Sequence, residues 1–410
     1  MKSPHCILSL ISYNDYNTHS DYIATIRRIH MVKDKDHFHG SDLEKIEKVY
    51  NIKPCDVTSF AANVNPLGIS YKLKTTLCDR IDAITSYPDR DYTALRTSIS
   101  NYVHVDKDHI IVGNGSTELI SLFIQITAPK KALLITPTYS EYERELALCG
   151  GSLDYFPLKE EENFYCDPKK LEAVLCNGYD LLIICNPNNP TSTAIKTETM
   201  REILTSCKEA TKKIAKEKGT EHSLYVIVDE TYVEFAPSIE EVTAVSLVKD
   251  FDNLVVLRGV SKFFASPGLR LGYAMTSSKK LLKEINERKN PWTINTLAAI
   301  AGEIMFTDEE YIKTTKDFIA GERTRVCEIL SKNPNLKVYE PTANFVLVRI
   351  LNKAVTAADL FEACIKKGLM IRDCVTFKGL DEYYFRLCFM SKEKNDELLE
   401  IIQKTVSTNL

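Results

Sequence analysis

The sequence predicts an α/β fold: a mostly parallel sheet flanked by helices, with a smaller α+β domain attached. Two observations carry that prediction. Beyond Tyr92, short and nearly continuous apolar runs alternate with helical stretches, the pattern of strands covered on both faces. From about residue 310 the order changes to a long helix followed by short strands and helices in mixture.

Taken in order, residues 1–38 match nothing that follows. They hold His5, His19, His30 and His37 without a clean period, and read as a disordered or loosely packed extension. Met31 offers an alternative start. Met1–Leu10 has too short an apolar core for a secretory signal and no small-residue cleavage site. Asp42–Val49 has helical spacing, and residues 60–68, FAANVNPLG, read as an extended segment ending in a turn. Predicted strands are Ile110–Val112, Ala132–Thr136, Leu181–Cys185, Leu224–Val228 and Leu254–Leu257, with helices such as Thr117–Thr127 and Thr197–Lys218 between them. Right-handed crossovers place functional loops at the C-terminal strand ends. The Lys- and Glu-rich stretch Lys208–Glu221 reads as a solvated helix end. The last part predicts a helix over Tyr311–Leu330, strands at Asn344–Ile350, Met370–Arg372 and Tyr384–Phe389, and a helix over Ala357–Lys367. The expected division is therefore a large domain over 76–309 and a small one from 39–75 plus 310–410.

Composition narrows the function. The 410 residues are 44% hydrophobic with mean hydropathy −0.17, and no run reaches the length of a membrane span. A net charge of −4 argues against a nucleic-acid partner. The twelve cysteines include no CxxC pair, the closest two being Cys176 and Cys185. Zinc and thioredoxin-like readings lose their support, no metal is expected, and the thiols read as reduced and cytoplasmic.

Four stretches carry chemistry. Gly113-Asn114-Gly115-Ser116-Thr117-Glu118 follows a strand and opens a helix. Free backbone N–H groups there suit a phosphate dianion, and an ordinary capped turn has the same look. Neither a Walker loop nor GxGxxG is present. The asparagine- and proline-rich turn 186–191 follows the next strand but one. Asp229-Glu230-Thr231-Tyr232 emerges from the strand after it, where an acid serves either Mg²⁺ or a heterocyclic nitrogen. Ser261-Lys262 then follows an apolar strand. A lysine there is either a surface loop residue or a desolvated amine of lowered pKa, with Arg270 pushing the same way. A phosphate cradle, a polar side chain at ring height, a buried carboxylate and a lysine on successive strand ends are together the parts a pyridoxal phosphate site requires.

The order GNGST, TPTYSEY (136–142), NPNNPT, VDETY (228–232), SK and GLRLGY (268–273) resembles the fold-type I pyridoxal-phosphate enzymes of class I and II aminotransferase type, near the histidinol-phosphate aminotransferases. The resemblance implies that Lys262 forms the covalent link and that Asp229 partners the pyridine nitrogen. It puts Asn189 and Tyr232 on the ring's phenolate oxygen and stacks Tyr139 on the ring. Gly115, Ser116, Thr117, Ser261 and Arg270 then hold the cofactor phosphate, and Tyr87 reaches the phosphate of a neighbouring subunit in a homodimer with shared sites. Within that group, His39-Gly40, FAANVNPLG, SKFFASPGLRLG (261–272), PWTINTLAAIAGE (291–303), LMIRDC (369–374) and GLDEYYFRL (379–387) resemble the threonine-phosphate decarboxylases of cobalamin biosynthesis. That likeness implies a phosphorylated amino acid as substrate, lined by His39, Asn63, Arg372 and Arg386. Read on its own, Arg372 equally pairs with a neighbouring acid such as Asp373.

This chain departs from the pattern at two motifs, and its residues 1–38 and lengthened 208–223 segment have no counterpart there. NPTS stands where NPTG is usual, and His-Gly-Ser-Asp42 replaces His-Gly-Gly-Asn. A shift of substrate to serine phosphate fits these changes. An aminotransferase needs the same lysine, aspartate and arginine, and so stays the alternative. A regulator built on such a domain lacks the basic DNA-binding module it would require.

Overall fold

The computed structural model describes residues 38, 40, 42–219 and 221–407. The expected extension lies outside the described residues apart from Phe38, and so does His39.

Strand β1 (Thr58–Ser59) is followed by β2 (Ile110–Gly113), β3 (Lys131–Thr136), β4 (Ser152–Pro157), β5 (Leu181–Cys185), β6 (Tyr225–Asp229), β7 (Leu254–Gly259) and β8 (Gly272–Met275). The remaining strands are β9 (Leu336–Val338), β10 (Phe345–Ile350), β11 (Leu369–Met370), β12 (Arg372–Asp373) and β13 (Tyr384–Cys388). A seven-stranded sheet has the order β2-β8-β7-β6-β5-β3-β4, in which β8 alone runs against its neighbours. The expected mostly parallel sheet is therefore present. β4 and β8 were not expected. β4 is a half-exposed edge strand and β8 is only four residues long, so neither shows the apolar run of a doubly covered strand.

The central strands are apolar on both faces because helices cover both. On β7, Leu254 and Val256 face one core with Phe263 and Tyr273. Val255 and Leu257 face the other, under helices Ser116–Thr127, Glu141–Leu148 and Lys279–Arg288. Alternation of period two thus fills two cores from one strand.

A second, four-stranded antiparallel sheet has the order β12-β13-β10-β9. The single strand expected at Met370–Arg372 is two: β11 pairs with β1, while β12 pairs with β13. Ile371 is buried between them, and the chain changes sheets there. Helix Tyr71–Asp79 straddles the expected boundary at 75/76 and rests on helix Thr296–Met305, whereas helix Glu309–Ser331 begins close to the boundary at 310. Among the described residues, no helix is long and apolar enough to cross a membrane and no cluster of side chains is arranged to hold a metal.

Candidate active site

The C-terminal ends of β2, β5, β6 and β7 open into one cavity of about 280 Å³, walled on its other side by β12 and β13. Twelve of the fifteen residues singled out from the sequence line it. Asn63 and Tyr87 do not line it, and His39 lies outside the described residues.

The cradle forms first. β2 ends at Gly113, the chain turns through Gly115 at φ 83°, and helix Ser116–Thr127 begins. A Cβ on Gly115 would stand 2.5 Å from Nη2 of Arg270, and one on Gly272 would stand 2.4 Å from the Ser116 nitrogen. Glycine at both places lets the guanidinium and the helix start meet at one point. Backbone N–H groups and a cation converging there form an anion site.

Asp229 is the last residue of β6 and is buried. Its Oδ1 accepts from the Thr231 amide (3.0 Å) and hydroxyl (2.6 Å), and its Oδ2 from the Tyr142 hydroxyl (2.6 Å). Burial raises its pKa above the ordinary carboxylate value, with the Thr231 and Tyr142 donors pulling it down.

Lys262 follows β7 and donates through Nζ to the Ala62 carbonyl at 2.7 Å, while its own carbonyl accepts from the Asn65 amide at 3.0 Å. Burial and then Arg386 pull its pKa down to about 8, with Cys388 opposing. Of the two readings the sequence left open for this lysine, a surface loop residue or a desolvated amine, the structure contains the second. Segment 60–68 is not a strand; it turns at Asn63, whose φ is 55°, and passes beneath the lysine.

Tyr232 is buried and edge-on to Phe345 (4.9 Å, 77°), and its hydroxyl accepts from Asn63 Nδ2 at 3.4 Å. Asn63 therefore stands behind the cavity wall and touches the site through Tyr232. Tyr139 lies edge-on to Tyr142 at 5.6 Å. Arg386, on β13, is buried, donates to Asn189 Oδ1 and to the Ala61 carbonyl (2.6 Å), and leaves Nε without a protein partner. Arg372 stands opposite it in register and donates to the Phe38 carbonyl and to Thr376 Oγ1 (2.9 Å). Burial first, then Arg386, lowers the Arg372 pKa, and Asp373 and Asp42 pull the other way. Tyr87 lies outside the cavity, 82% exposed, with its ring 5.0 Å from that of Trp292.

Two residues of the site were missed from sequence. Tyr142 holds Asp229, and Cys185, level with Asp229 across β5 and β6, forms part of the cavity wall. Tyr142 had a signal, its place three residues after Tyr139 at a helix start. Cys185 had none beyond its position at a strand end.

The residues fit pyridoxal phosphate. An acid and a partly desolvated lysine line the same cavity as an anion cradle, with a buried asparagine and tyrosine beside them and a buried arginine nitrogen left without a protein partner. Pyridoxal phosphate, when bound, supplies a conjugated ring that takes up an electron pair from the substrate's Cα.

Comparison with known proteins agrees. The sequence profile of the family described as aminotransferase class I and II matches residues 56–402. The chain is 31% identical to the threonine-phosphate decarboxylase of Salmonella typhimurium over 90% of its own length and 96% of that protein. It is 29% identical to the histidinol-phosphate aminotransferase of Methanosphaera stadtmanae, over 91% of this chain and 96% of the other. Among solved structures, the histidinol-phosphate aminotransferase of Clostridium acetobutylicum superposes with a TM-score of 0.76 at 32% identity, covering 85% of this chain and 98% of that one. With cradle, acid, lysine and arginines in one cavity, and the profile spanning both sheets, this chain belongs to the class I and II aminotransferase family.

Proposed function

We propose that the chain is a pyridoxal-phosphate-dependent decarboxylase that converts L-threonine O-3-phosphate, or a close analogue such as serine phosphate, to the corresponding amino phosphate and CO₂. For threonine phosphate the product is (R)-1-aminopropan-2-yl phosphate, as needed for the cobalamin nucleotide loop. The observation that carries this reading is the register pair Arg372–Arg386 on one wall of the cavity that holds Lys262. Two guanidiniums side by side suit a substrate with two anionic ends, a carboxylate and a phosphate. The Salmonella relative, named for that reaction, supports the choice.

Each residue then has a task. Asp229 would hold a proton on the cofactor's pyridine nitrogen. Lys262 carries an amine that is partly neutral near pH 8 and therefore nucleophilic. Arg386 would grip one anionic end of the substrate and Arg372 the other, and their positions would fix how the substrate's Cα is turned in the cavity. Asn189 and Tyr232 would hold the cofactor's phenolate oxygen, with Asn63 donating to the Tyr232 hydroxyl. Binding energy at the remote phosphate holds the pose that loses CO₂.

The reading includes a cytoplasmic homodimer with shared sites, a large domain over 76–309 and a small one from the flanking segments. Tyr71 and Tyr87, each 82% exposed, with Ile81 and Ile84 between them, are an apolar stretch that a second copy would cover. Sedimentation should give a dimer; a monomer at micromolar concentration would remove Tyr87 from the site.

The alternative is an aminotransferase of histidinol-phosphate type, favoured by the 32% identity to the Clostridium structure. Incubation with threonine phosphate, serine phosphate, and histidinol phosphate plus 2-oxoglutarate separates the two. CO₂ from threonine phosphate is expected, and glutamate formation without CO₂ would replace the first reading by the second.

A further inference from the structure

Glu118 stands outside the machinery described so far, yet both of its carboxylate oxygens are engaged at short distance. Oε2 accepts from the Asn114 amide at 2.6 Å, inside the cradle turn, and Oε1 accepts from the Thr293 hydroxyl at 2.6 Å. Lys289 grips the residue on the other side of Gly113: its Nζ donates to the Val112 carbonyl at 3.1 Å and lies 5.6 Å from the Tyr92 ring centre. Gly113 is thus held from both flanks, and the turn that presents Gly115 and Ser116 inherits its shape from this clamp.

The segment after Lys289 leads outward. Trp292, at φ 56°, precedes Thr293 and packs on the exposed Tyr87 ring. Ile294 exchanges hydrogen bonds with the Tyr92 hydroxyl at 2.9 Å in both directions, and Thr296 Oγ1 donates to the Ser86 carbonyl at 2.9 Å. Residues 292–296 therefore connect the cradle with the exposed arm that carries Tyr87.

A carboxylate next to a phosphate site would, as a bare charge, weaken anion binding. Its two short contacts point to the opposite role. We propose that Glu118 is a positioning residue that shapes the phosphate cradle and, through Thr293, links occupancy of the cradle to the Tyr87–Trp292 arm. The proposal rests on the reading of residues 113–116 as a phosphate site, and adds to it a mechanical link to the partner-facing surface. Linkage makes the effect reciprocal: a partner that orders the arm tightens phosphate binding by the same factor.

Trp292 is the chain's single tryptophan, so its fluorescence reports on the arm without labelling. The full-length protein, stripped of cofactor, is titrated with inorganic phosphate while acrylamide quenching of Trp292 is followed. Phosphate affinity is read separately, from competition with pyridoxal phosphate uptake. The wild type should change its quenching at the phosphate concentration that half-blocks uptake. Thr293→Val should keep its phosphate affinity and lose the quenching response. Glu118→Gln should bind phosphate about tenfold more weakly, the loss of one charge-assisted hydrogen bond to the turn. A Thr293→Val response equal to wild type overturns the link, and unchanged or tighter phosphate binding by Glu118→Gln overturns the positioning role. A wild type that takes up pyridoxal phosphate with unaltered Trp292 quenching sinks the link alone, whereas one that takes up neither phosphate nor cofactor sinks the cradle reading as well.

Discussion

Tyr142→Phe isolates one contact. The ring is fully buried and stays in place, so no cavity opens; what disappears is the 2.6 Å hydrogen bond to Asp229 Oδ2. A hydrogen bond to a buried carboxylate contributes about 1.5–3 kcal/mol, and Asp229 keeps its two contacts from Thr231. A loss of about 2 kcal/mol is expected at neutral pH, seen as a lower denaturant midpoint at unchanged slope. The pH dependence follows from the direction of the Asp229 shift. Its folded-state pKa lies above the unfolded value because burial outweighs the donors. Its favourable contribution is therefore complete below the unfolded pKa of about 4 and is lost as pH rises through the folded pKa. Removing Tyr142 raises the folded pKa further. The variant's penalty should thus be larger at neutral pH and shrink to about 1 kcal/mol or less at about pH 3, below the unfolded pKa, where the acid is protonated in both states. The acid limb of the activity profile should move to higher pH in the same variant. Equal penalties at both pH values, or an unmoved acid limb, would show that the tyrosine packs against Asp229 without supporting its charge.

Four further outcomes can be measured. Lys262→Ala should abolish the visible absorbance that pyridoxal phosphate gives with the wild type, and wild-type uptake of the cofactor should quicken as pH rises through about 8, where burial and Arg386 have placed the amine; uptake rates flat across that range would remove the lysine. Asp229→Ala should fold and lose at least about a hundredfold in turnover, and near-normal turnover would deny it the ring nitrogen. Arg386→Ala should raise KM for the amino acid about tenfold or more by loss of a charged contact, and an unchanged KM would put the substrate elsewhere. Ser192 is buried at φ 61° and its hydroxyl accepts from the Ala343 amide at 3.0 Å. Ser192→Ala should cost about 1–2 kcal/mol, while Ser192→Gly should cost less because it relieves the left-handed backbone. The reverse order in thermal unfolding would refute that assignment.

Ser192 also shows what a departure from pattern means physically. In NPTS it puts a side chain on a left-handed backbone position, at φ 61°. The structure adds that its side chain occupies a joint between the turn bearing Asn189 and the start of β10, where the Thr342 amide donates to its carbonyl at 2.7 Å. The expectation that Arg372 pairs with a neighbouring acid rested on local sequence, and the expectation that it lines a substrate pocket rested on the resemblance. Its position opposite Arg386 came only with the strand register.

By itself the sequence placed the lysine, the acid and the glycine turn each at the end of an apolar strand beside a turn whose chemistry is local, and the order of its motifs carried the resemblance that joins them. Lys262 after β7, Asp229 at the end of β6 and Gly115 after β2 are read within a few residues of themselves. The tertiary structure alone decided what those groups touch. Ala61 accepts from Arg386 across 325 positions of chain, and Ala62 accepts from Lys262 across 200. Likewise, β8 was invisible until its antiparallel partners β2 and β7 were in place. Local conformational preference is written in neighbouring residues, whereas contacts between distant segments depend on how the sheets twist and pack, and no short window of sequence contains that information.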